Sequence, residues 1–573
     1  MRATQNMEKI YTIGFDKSLA EVFGTKFTLV PELLEAELND WTIALFKEDI
    51  SALIITLPSS SEQIVQLIKI ALHIRLSLDD LKEKSLIPIV FTSTQTLYQI
   101  LIKSKIYGHI FSTVGSYFIN PDKVKTEISE VKPILVHEYK TGFLDVVTIR
   151  PDETLGKHSL ANIWGAYTLD KVAKTRVFEN NDTLKKQRAQ LYLKFVSAFN
   201  FDFSTLNPGG IKIIGNIVLG DPIKIASKDM KILLIDDEAD KGWEPVLRKI
   251  FKTSQAEDFK VINQKVKDYD AFSQDNKDLI EGGNFDLFLI DLRLNGLDEE
   301  DEANTRNFSG IKVFKKIKEL NNGNQAIIFT ASNKTWNLKY LLDEGANGYY
   351  LKEGPEFNFT NAFSEKNYEN FRDEVTECFY YKFLKDIHLI QNKCIEVINS
   401  DTTNRSRSYQ AFYDRAKSGL ETGFTLLEKS YKKEKYLSFA FLTFFQILED
   451  YSNQKENYCK DDQTGSWFVD SDKLAIDSTD NEWCLKFITG SGLNNFGYFE
   501  IEKNIDTSSA TTLAKISFIL YLKFSKNNSY LLKWGKLNHL RNTKAGHGTN
   551  KGDIQISEVF EILELVQLFL TSK

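Results

Sequence analysis

Four short apolar runs between residues 231 and 352 alternate with segments of helical period, and each run ends on a residue that carries chemistry. Lys231-Ile-Leu-Leu-Ile235 ends in Asp236-Asp237-Glu238. Phe285–Ile290 ends in Asp291, Ala326–Phe329 in Thr330, and Gly348–Leu351 in Lys352. Short apolar runs separated by helical segments predict buried strands of a parallel sheet. Such sheets bind their ligands at the carboxyl ends of the strands. The pattern therefore predicts that Asp236, Asp237, Asp291, Thr330 and Lys352 meet at one edge.

Residues of these types suit phosphoryl chemistry. Clustered carboxylates repel one another and call for a hard divalent cation such as Mg²⁺, which takes oxygen ligands. One carboxylate can then act as the nucleophile towards phosphorus, while Lys352 neutralises phosphoryl oxygens and the Thr330 hydroxyl registers the new group. The set resembles the receiver domain of two-component response regulators. The resemblance implies that Asp291 is the phosphoacceptor and that Asp236, Asp237, Asp291 and the Arg293 backbone carbonyl hold Mg²⁺. It also makes Thr330, Lys352 and the aromatic Tyr349 the switch residues, with Ser309-Gly310 matching the family's serine-glycine step. Two departures stand out. Residues 297–302 make a long acidic loop, so that Asp291 and Thr330 lie 39 positions apart, and Glu353 follows Lys352 where the family usually has proline.

The amino-terminal third repeats the alternation without the chemistry. Ser51–Thr56 and Ile87–Thr92 read as strands, Glu62–Leu76 as a helix, and Tyr107–Phe111 as a further strand. Thr56-Leu57-Pro58 stands where Asp291 would be. Residues 1–130 are thus expected to form a degenerate, receiver-like α/β domain. Residues 131–228 read as a helical connector and candidate dimerisation region, with helical period from Gly156 to Phe199. Within it, His158 and Asn162 share a helix face at i, i+4. A phosphoacceptor histidine and a plain polar linker residue are the two readings of His158, and no ATP-binding domain follows to phosphorylate it.

After Pro355 long helical patterns take over: a helical linker over 357–400, then a helical domain over 401–573. Tyr436–Tyr451 is apolar nearly all round, as in a helix buried in a bundle, and Ile556, Val559, Phe560, Leu563, Val566 and Leu570 stripe a final helix. Between them, Arg541-Asn542, four residues and His547 make R-N-x4-H, which resembles the signature of HEPN domains, with Glu449 on the preceding helix. That resemblance implies Arg541, Asn542, His547 and Glu449 as the catalytic set of a metal-independent endoribonuclease, commonly a homodimer with two Arg–His pairs in one cleft. Histidine suits proton transfer near neutrality, and arginine grips a phosphate bidentately.

Composition adjusts this picture only at its edges. A chain of 573 residues with 42% hydrophobic and 26% charged positions implies several folded domains. The net charge of -7 argues against a broad nucleic-acid-coating surface. Four cysteines without metal-type spacing suit a reducing cytoplasm. No run reaches membrane-span length, and no DNA-binding motif appears. The fold expected is α/β plus α: a degenerate receiver-like domain, a helical connector, a doubly wound flavodoxin-like receiver, and a HEPN-like bundle. Two functions follow. One is a response regulator whose Asp291 phosphorylation, by a histidine kinase or a small phosphodonor, controls a ribonuclease. The other is a non-catalytic signalling scaffold that binds RNA or protein.

Overall fold

The computed structural model describes residues 9–31, 35–151, 156–199, 201, 203–206, 230–252, 256–295, 307–331, 335–355, 359–400, 407–454, 459–460, 467–468, 483–488, 498–503, 512–524, 528–545 and 553–571. The chain divides into two compact units. The first takes in Met1–Phe272, Leu289–Ile311 and Ile327–Glu374, and the second Ser273–Phe288, Lys312–Ala326 and Val375–Lys573. Among the described residues no helix is long and apolar enough to cross a membrane.

In the first unit, β1 (Ile10–Gly14), β2 (Lys26–Leu29), β3 (Ala52–Thr56), β4 (Ile89–Thr92) and β5 (Ser116–Phe118) pair in parallel in the order β2-β1-β3-β4-β5. The three middle strands are buried from end to end, as a sheet covered on both faces requires. Helices α1 (Ser18–Phe23), α2 (Glu35–Leu45), α3 (Ser61–Leu76) and α4 (Leu97–Lys103) alternate with the strands. The last turn of α3 buries Arg75, whose guanidinium donates to the carbonyls of Ser85, Ile87 and Gly115 at 2.6–2.8 Å. One buried cation thereby ties together the segments that lead into β4 and β5.

The strand expected at Tyr107–Phe111 is not one. Those residues lie in a 3-10 helix, Lys105–Ser112, and the edge strand comes later, at Ser116. The apolar residues there recur as Tyr107, Ile110 and Phe111, a helical spacing that buries Ile110 and half-buries the two rings, while Ile106 is exposed. Gly115, at φ +73°, then makes the turn into β5.

The connector forms α5 (Gly156–Ala173), α6 (Asp182–Arg188) and α7 (Leu191–Phe199) with a short helical turn, Val177–Asn180, between the first two. The expected continuous period is broken at Arg176, which sits at φ +56°. Lys194 of α7 is buried and donates to Asn39 Oδ1 and Ser77 Oγ of the amino-terminal domain. It lines a cavity of about 70 Å³ together with Tyr167, Arg188 and Asp79.

A second five-stranded sheet consists of β6 (Ile232–Ile235), β7 (Phe259–Ile262), β8 (Leu287–Asp291), β9 (Gln325–Thr330) and β10 (Gly348–Leu351). Its order, β10-β9-β8-β6-β7, is the order of the first sheet read from the opposite edge. Four helices alternate with its strands: α8 (Trp243–Phe251), α9 (Gln274–Gly282), α10 (Ser309–Leu320) and α11 (Thr335–Asp343). The next helix, α12 (Asn361–Tyr381), brings Phe371 against Phe329 and Tyr350, with ring centroids 5.6 and 5.3 Å away.

The second unit's core is helical. It is built from α13 (Leu384–Ser400), α14 (Arg407–Leu427), α15 (Lys435–Ser452), α16 (Thr512–Lys523), α17 (Asn528–Leu540) and α18 (Ile556–Thr571). The α15 residues Phe441, Phe444, Phe445 and Leu448 are buried, as are Val559, Leu563, Val566 and Leu570 of α18, while Ile556 and Phe560 are half-buried. Helices alone were expected here, but Trp483–Ile488 pairs antiparallel with Tyr498–Lys503 as β11 and β12. Leu485 and Phe487 alternate there with Cys484 and Lys486, a period of two.

Burial lowers the Lys194 ammonium from 10.5 to about 7. Between those values the unfolded chain holds a proton that the folded chain does not, so stability from this group rises with pH across that window and is lowest below it. Lys194→Met is expected to flatten the rise of melting temperature between pH 7 and 10 and to add on the order of a few kcal/mol near pH 6. A series of melts monitored by circular dichroism across that range reads both effects.

Candidate functional site

Strands β6, β8, β9 and β10 end at a common edge because their apolar runs stop in register. Asp291 is the last residue of β8, and the next amide, Leu292, donates to Phe329 of β9 at 2.8 Å. Lys352 follows β10 and donates its own amide to the Thr330 carbonyl at 2.7 Å. Carboxylate oxygens of Asp236, Asp237 and Asp291 all lie within 4.8 Å of one another. Helix α10 can approach this edge only because residue 310 is glycine. A Cβ there would lie 2.0 Å from the Asp291 carbonyl oxygen and 2.7 Å from that of Leu292. The neighbouring Ser309 Oγ accepts from the Leu294 amide at 2.7 Å and fixes the chain leaving β8.

The ammonium of Lys352 stands in the middle of this edge. It lies 2.9 Å from Asp236 Oδ2, 3.0 Å from Asp291 Oδ2, and 5.0 Å from the centre of the Trp243 ring. Asp236, Asp291 and Lys352 are only 0%, 3% and 5% exposed. Burial lifts the Asp291 carboxyl well above the usual range and Asp236 adds to that, while Lys352 and the Arg293 backbone amide act the other way. Burial weakens the Lys352 ammonium, but Asp236 and Asp291 outweigh it and hold Lys352 above its ordinary value.

Three buried carboxylates face one ammonium, a net excess of negative charge that a buried site does not sustain unaided. The donor set is oxygen only, clustered and anionic, and so fits a hard divalent ion of the Mg²⁺ type. Among the described residues it is the one His, Cys, Asp or Glu group with such geometry.

The remaining expected positions fall as follows. Thr330 is fully buried at the end of β9. Tyr349 is half-buried on the edge strand β10, with its amide donating to Glu374 Oε2 at 2.9 Å. The Arg293 guanidinium rests on the Phe308 ring, 5.0 Å from its centre. The acidic loop, 297–302, lies outside the described residues. Glu353 is buried and takes hydrogen bonds from Ser364 Oγ (2.5 Å) and Asn367 Nδ2 (3.2 Å) of α12. This carboxylate therefore anchors the following helix.

The sequence reading missed two participants. Trp243 supplies the ring beneath Lys352. Asn162 of α5, singled out only as a neighbour of His158, accepts from Lys352 Nζ at 2.9 Å. Its signal was a buried amide one turn after His158 and Ser159, which a single sequence does not distinguish from a surface amide. The side chain of His158 lies outside the described residues.

The first sheet offers a direct contrast. Where the second sheet has Asp236, Asp291 and Lys352 after or at the ends of β6, β8 and β10, the first has Phe15, Thr56 and Ile119 after or at the ends of β1, β3 and β5. Thr56 Oγ1 donates to the Ile13 carbonyl at 3.2 Å, so the position that matches Asp291 is occupied by an internal hydrogen bond. A family model described as Inactive Receiver domain matches residues 11–119. The amino-terminal third thus carries a receiver-like parallel sheet without the acidic chemistry, as its sequence led us to expect. No curated protein matches the chain.

In the second unit, Arg541 opens a π-helical turn, Arg541–Ala545, at the end of α17. Its guanidinium lies 3.7 Å from Glu449 Oε1, donates to Asn542 Oδ1 at 3.0 Å, and rests 5.6 Å from the centre of the Phe445 ring. Three of the four residues expected to act together are therefore adjacent, and the fourth, His547, lies outside the described residues. His539 is half-buried on α17 and its carbonyl accepts from Thr543.

Charge excess at the strand ends has a measurable consequence. Millimolar Mg²⁺ is expected to raise the melting temperature of the chain, and Asp236→Asn to abolish that rise. In magnesium-free buffer Asp291→Asn removes one of three repelling charges and is expected to raise the melting temperature by a few degrees. Scanning fluorimetry of the three proteins with and without Mg²⁺ checks both statements.

Proposed function

We propose that the chain is a phosphorylation-controlled signalling protein whose residues 229–356 form a second receiver, the one that takes phosphate. A histidine kinase or a small phosphodonor supplies the group. The observation that carries this reading is the Asp236–Asp237–Asp291 cluster with Lys352 bridging it, at the strand ends of a sheet that shares the strand order of the inactive receiver. An oxygen of Asp291 attacks phosphorus, and an O–P bond forms as the bond to the leaving group breaks. With acetyl phosphate, acetate departs.

Asp236, Asp237, Asp291 and the Arg293 carbonyl would hold Mg²⁺, which supplies positive charge opposite the phosphoryl oxygens. Lys352 offers a second cation on the other side, and the Thr330 hydroxyl is placed on the neighbouring strand to hydrogen-bond to the product. Tyr349, three residues before Lys352, follows Thr330 as the aromatic of the switch. These shifts alter a balance between two arrangements of the domain rather than create a new one.

For the output we favour RNA cleavage by a HEPN-like pair of carboxyl-terminal domains, with His547 as proton carrier and Arg541 as phosphate grip. Asn542 and Glu449 would orient Arg541. The other reading, a bundle that binds RNA or protein without cutting, draws support from the three contacts that already engage Arg541.

Acetyl phosphate with Mg²⁺ is expected to add one phosphoryl mass to the intact chain and none to Asp291→Asn, and a chelator is expected to prevent the addition. An adduct that persists in Asp291→Asn would refute the assignment. In the same preparations, RNA cleavage that responds to beryllofluoride and disappears in His547→Ala supports the ribonuclease. Cleavage unchanged in Arg541→Ala and His547→Ala rules that site out.

A further inference from the structure

The phosphoacceptor edge is covered by a helix from outside its own sheet. Asn162 of α5 is 3% exposed and makes three hydrogen bonds to the residues around the carboxylate cluster. Its Oδ1 accepts from Lys352 Nζ at 2.9 Å and from Trp243 Nε1 at 2.9 Å. Its Nδ2 donates to Glu238 Oε2 at 3.2 Å. One turn earlier, Ser159 Oγ donates to the other oxygen of Glu238 at 2.6 Å. One turn later, Gly165 permits the closest approach, since a Cβ there would stand 3.0 Å from the Trp243 ring and 3.5 Å from the Glu353 carbonyl oxygen.

Residues 159, 162 and 165 therefore form one edge of α5 aimed at Glu238, at Trp243, and at Lys352 and the chain just after it. The contact is polar where it meets Lys352 and Glu238, and close-packed where it meets Trp243.

An ammonium has three N–H donors. Lys352 Nζ donates to Asp236 and Asn162 and stands 3.0 Å from Asp291 Oδ2 as an ion pair. A phosphoryl group on Asp291 draws the ammonium towards itself, away from Asn162, and needs volume beside a carboxylate that is now 3% exposed. Asp236 is fully buried within the cluster, whereas Asn162 belongs to a separate helix and has two other partners to keep.

We propose that Asn162 is an additional residue of the phosphoacceptor site, competing with the phosphoryl group for Lys352, and that docked α5 is a cap that phosphorylation displaces. The proposal rests on the reading of Asp291 as phosphoacceptor. By linkage, whatever factor docking of α5 takes from phosphorylation, phosphorylation takes from docking.

The same helix continues to the inactive receiver. Tyr167, five residues beyond Asn162, lines the cavity where Lys194 meets Asn39 and Ser77 of that domain, and Arg188 lies over its ring with the guanidinium carbon 5.1 Å from the centre. The inactive receiver thus holds the far end of the cap. Its part in the protein is to set how firmly α5 closes the acidic edge of the second sheet.

The test measures acetyl-phosphate incorporation by intact mass over time in the full chain, in Asn162→Ala, and in Gly165→Leu. The second variant wedges α5 away from Trp243 while keeping the Asn162 side chain in the sequence. Both are expected to take phosphate several-fold faster than the parent chain. Beryllofluoride is expected to speed amide hydrogen exchange across Ser159–Ala173 in the parent chain.

Rates that are equal or slower in both variants, with phosphate still entering Asp291, overturn the cap and leave the phosphoacceptor standing. Absence of phosphate from all three proteins overturns both. A residue that merely supports the fold would slow the reaction on removal, so acceleration separates competition from support.

Discussion

One buried ammonium organises the acidic end of the second sheet. Lys352 balances part of the charge of Asp236 and Asp291, and without it these carboxylates would sit deep in the protein with nothing to offset their desolvation. Removing the ammonium from such a set costs several kcal/mol, because the carboxylates left behind are uncompensated. Other features at this end serve that arrangement. The strands stop in register so that the carboxylates converge, glycine at 310 lets a helix close over the Asp291 carbonyl, and Trp243 lays a ring beneath the cation. A cluster of this kind is a poor device for stability, since apolar residues of similar size would hold the edge as well. Its persistence in a buried position argues for chemistry.

The two sheets make that point a second time. They share a strand order, yet one ends in carboxylates and an ammonium and the other in Phe15, Thr56 and Ile119. The fold is indifferent to which set it carries, because the strand interiors supply the core and the residues at the strand ends contribute little to it. The amino-terminal domain has put its buried charges elsewhere. Arg75 binds three carbonyls behind the sheet, and Lys194 reaches across from the connector.

Much of this was legible in the sequence, and what was not has physical reasons. The strands ending in Asp291, Thr330 and Lys352 announced themselves because parallel strands buried on both faces are continuous apolar runs, and their ends mark the ligand edge. The run at Tyr107 misled because four or five apolar residues suit either a strand or one face of a helical turn. β11 and β12 were missed because the helical pattern that dominates after Pro355 set the expectation, and the period of two around Lys486, Glu500 and Glu502 spans only six residues in each strand. The arrangement of Arg541 and Glu449 followed from a motif, but its contact with Phe445 did not, since ring contacts over the length of a bundle leave no local trace. The cover formed by α5 was the least legible feature. Asn162 is separated from Lys352 by 190 positions, and nothing in either neighbourhood specifies the other.

Consecutive residues at the end of β10 answer to different helices. The side chain of Lys352 bonds to α5 through Asn162, and the side chain of Glu353 bonds to α12 through Ser364 and Asn367. A proline at 353 would have no side chain able to accept those bonds. With glutamate there, adjacent residues tie one strand end to two helices, so neither α5 nor the 21-residue α12 can be repositioned without loading hydrogen bonds at that same strand end.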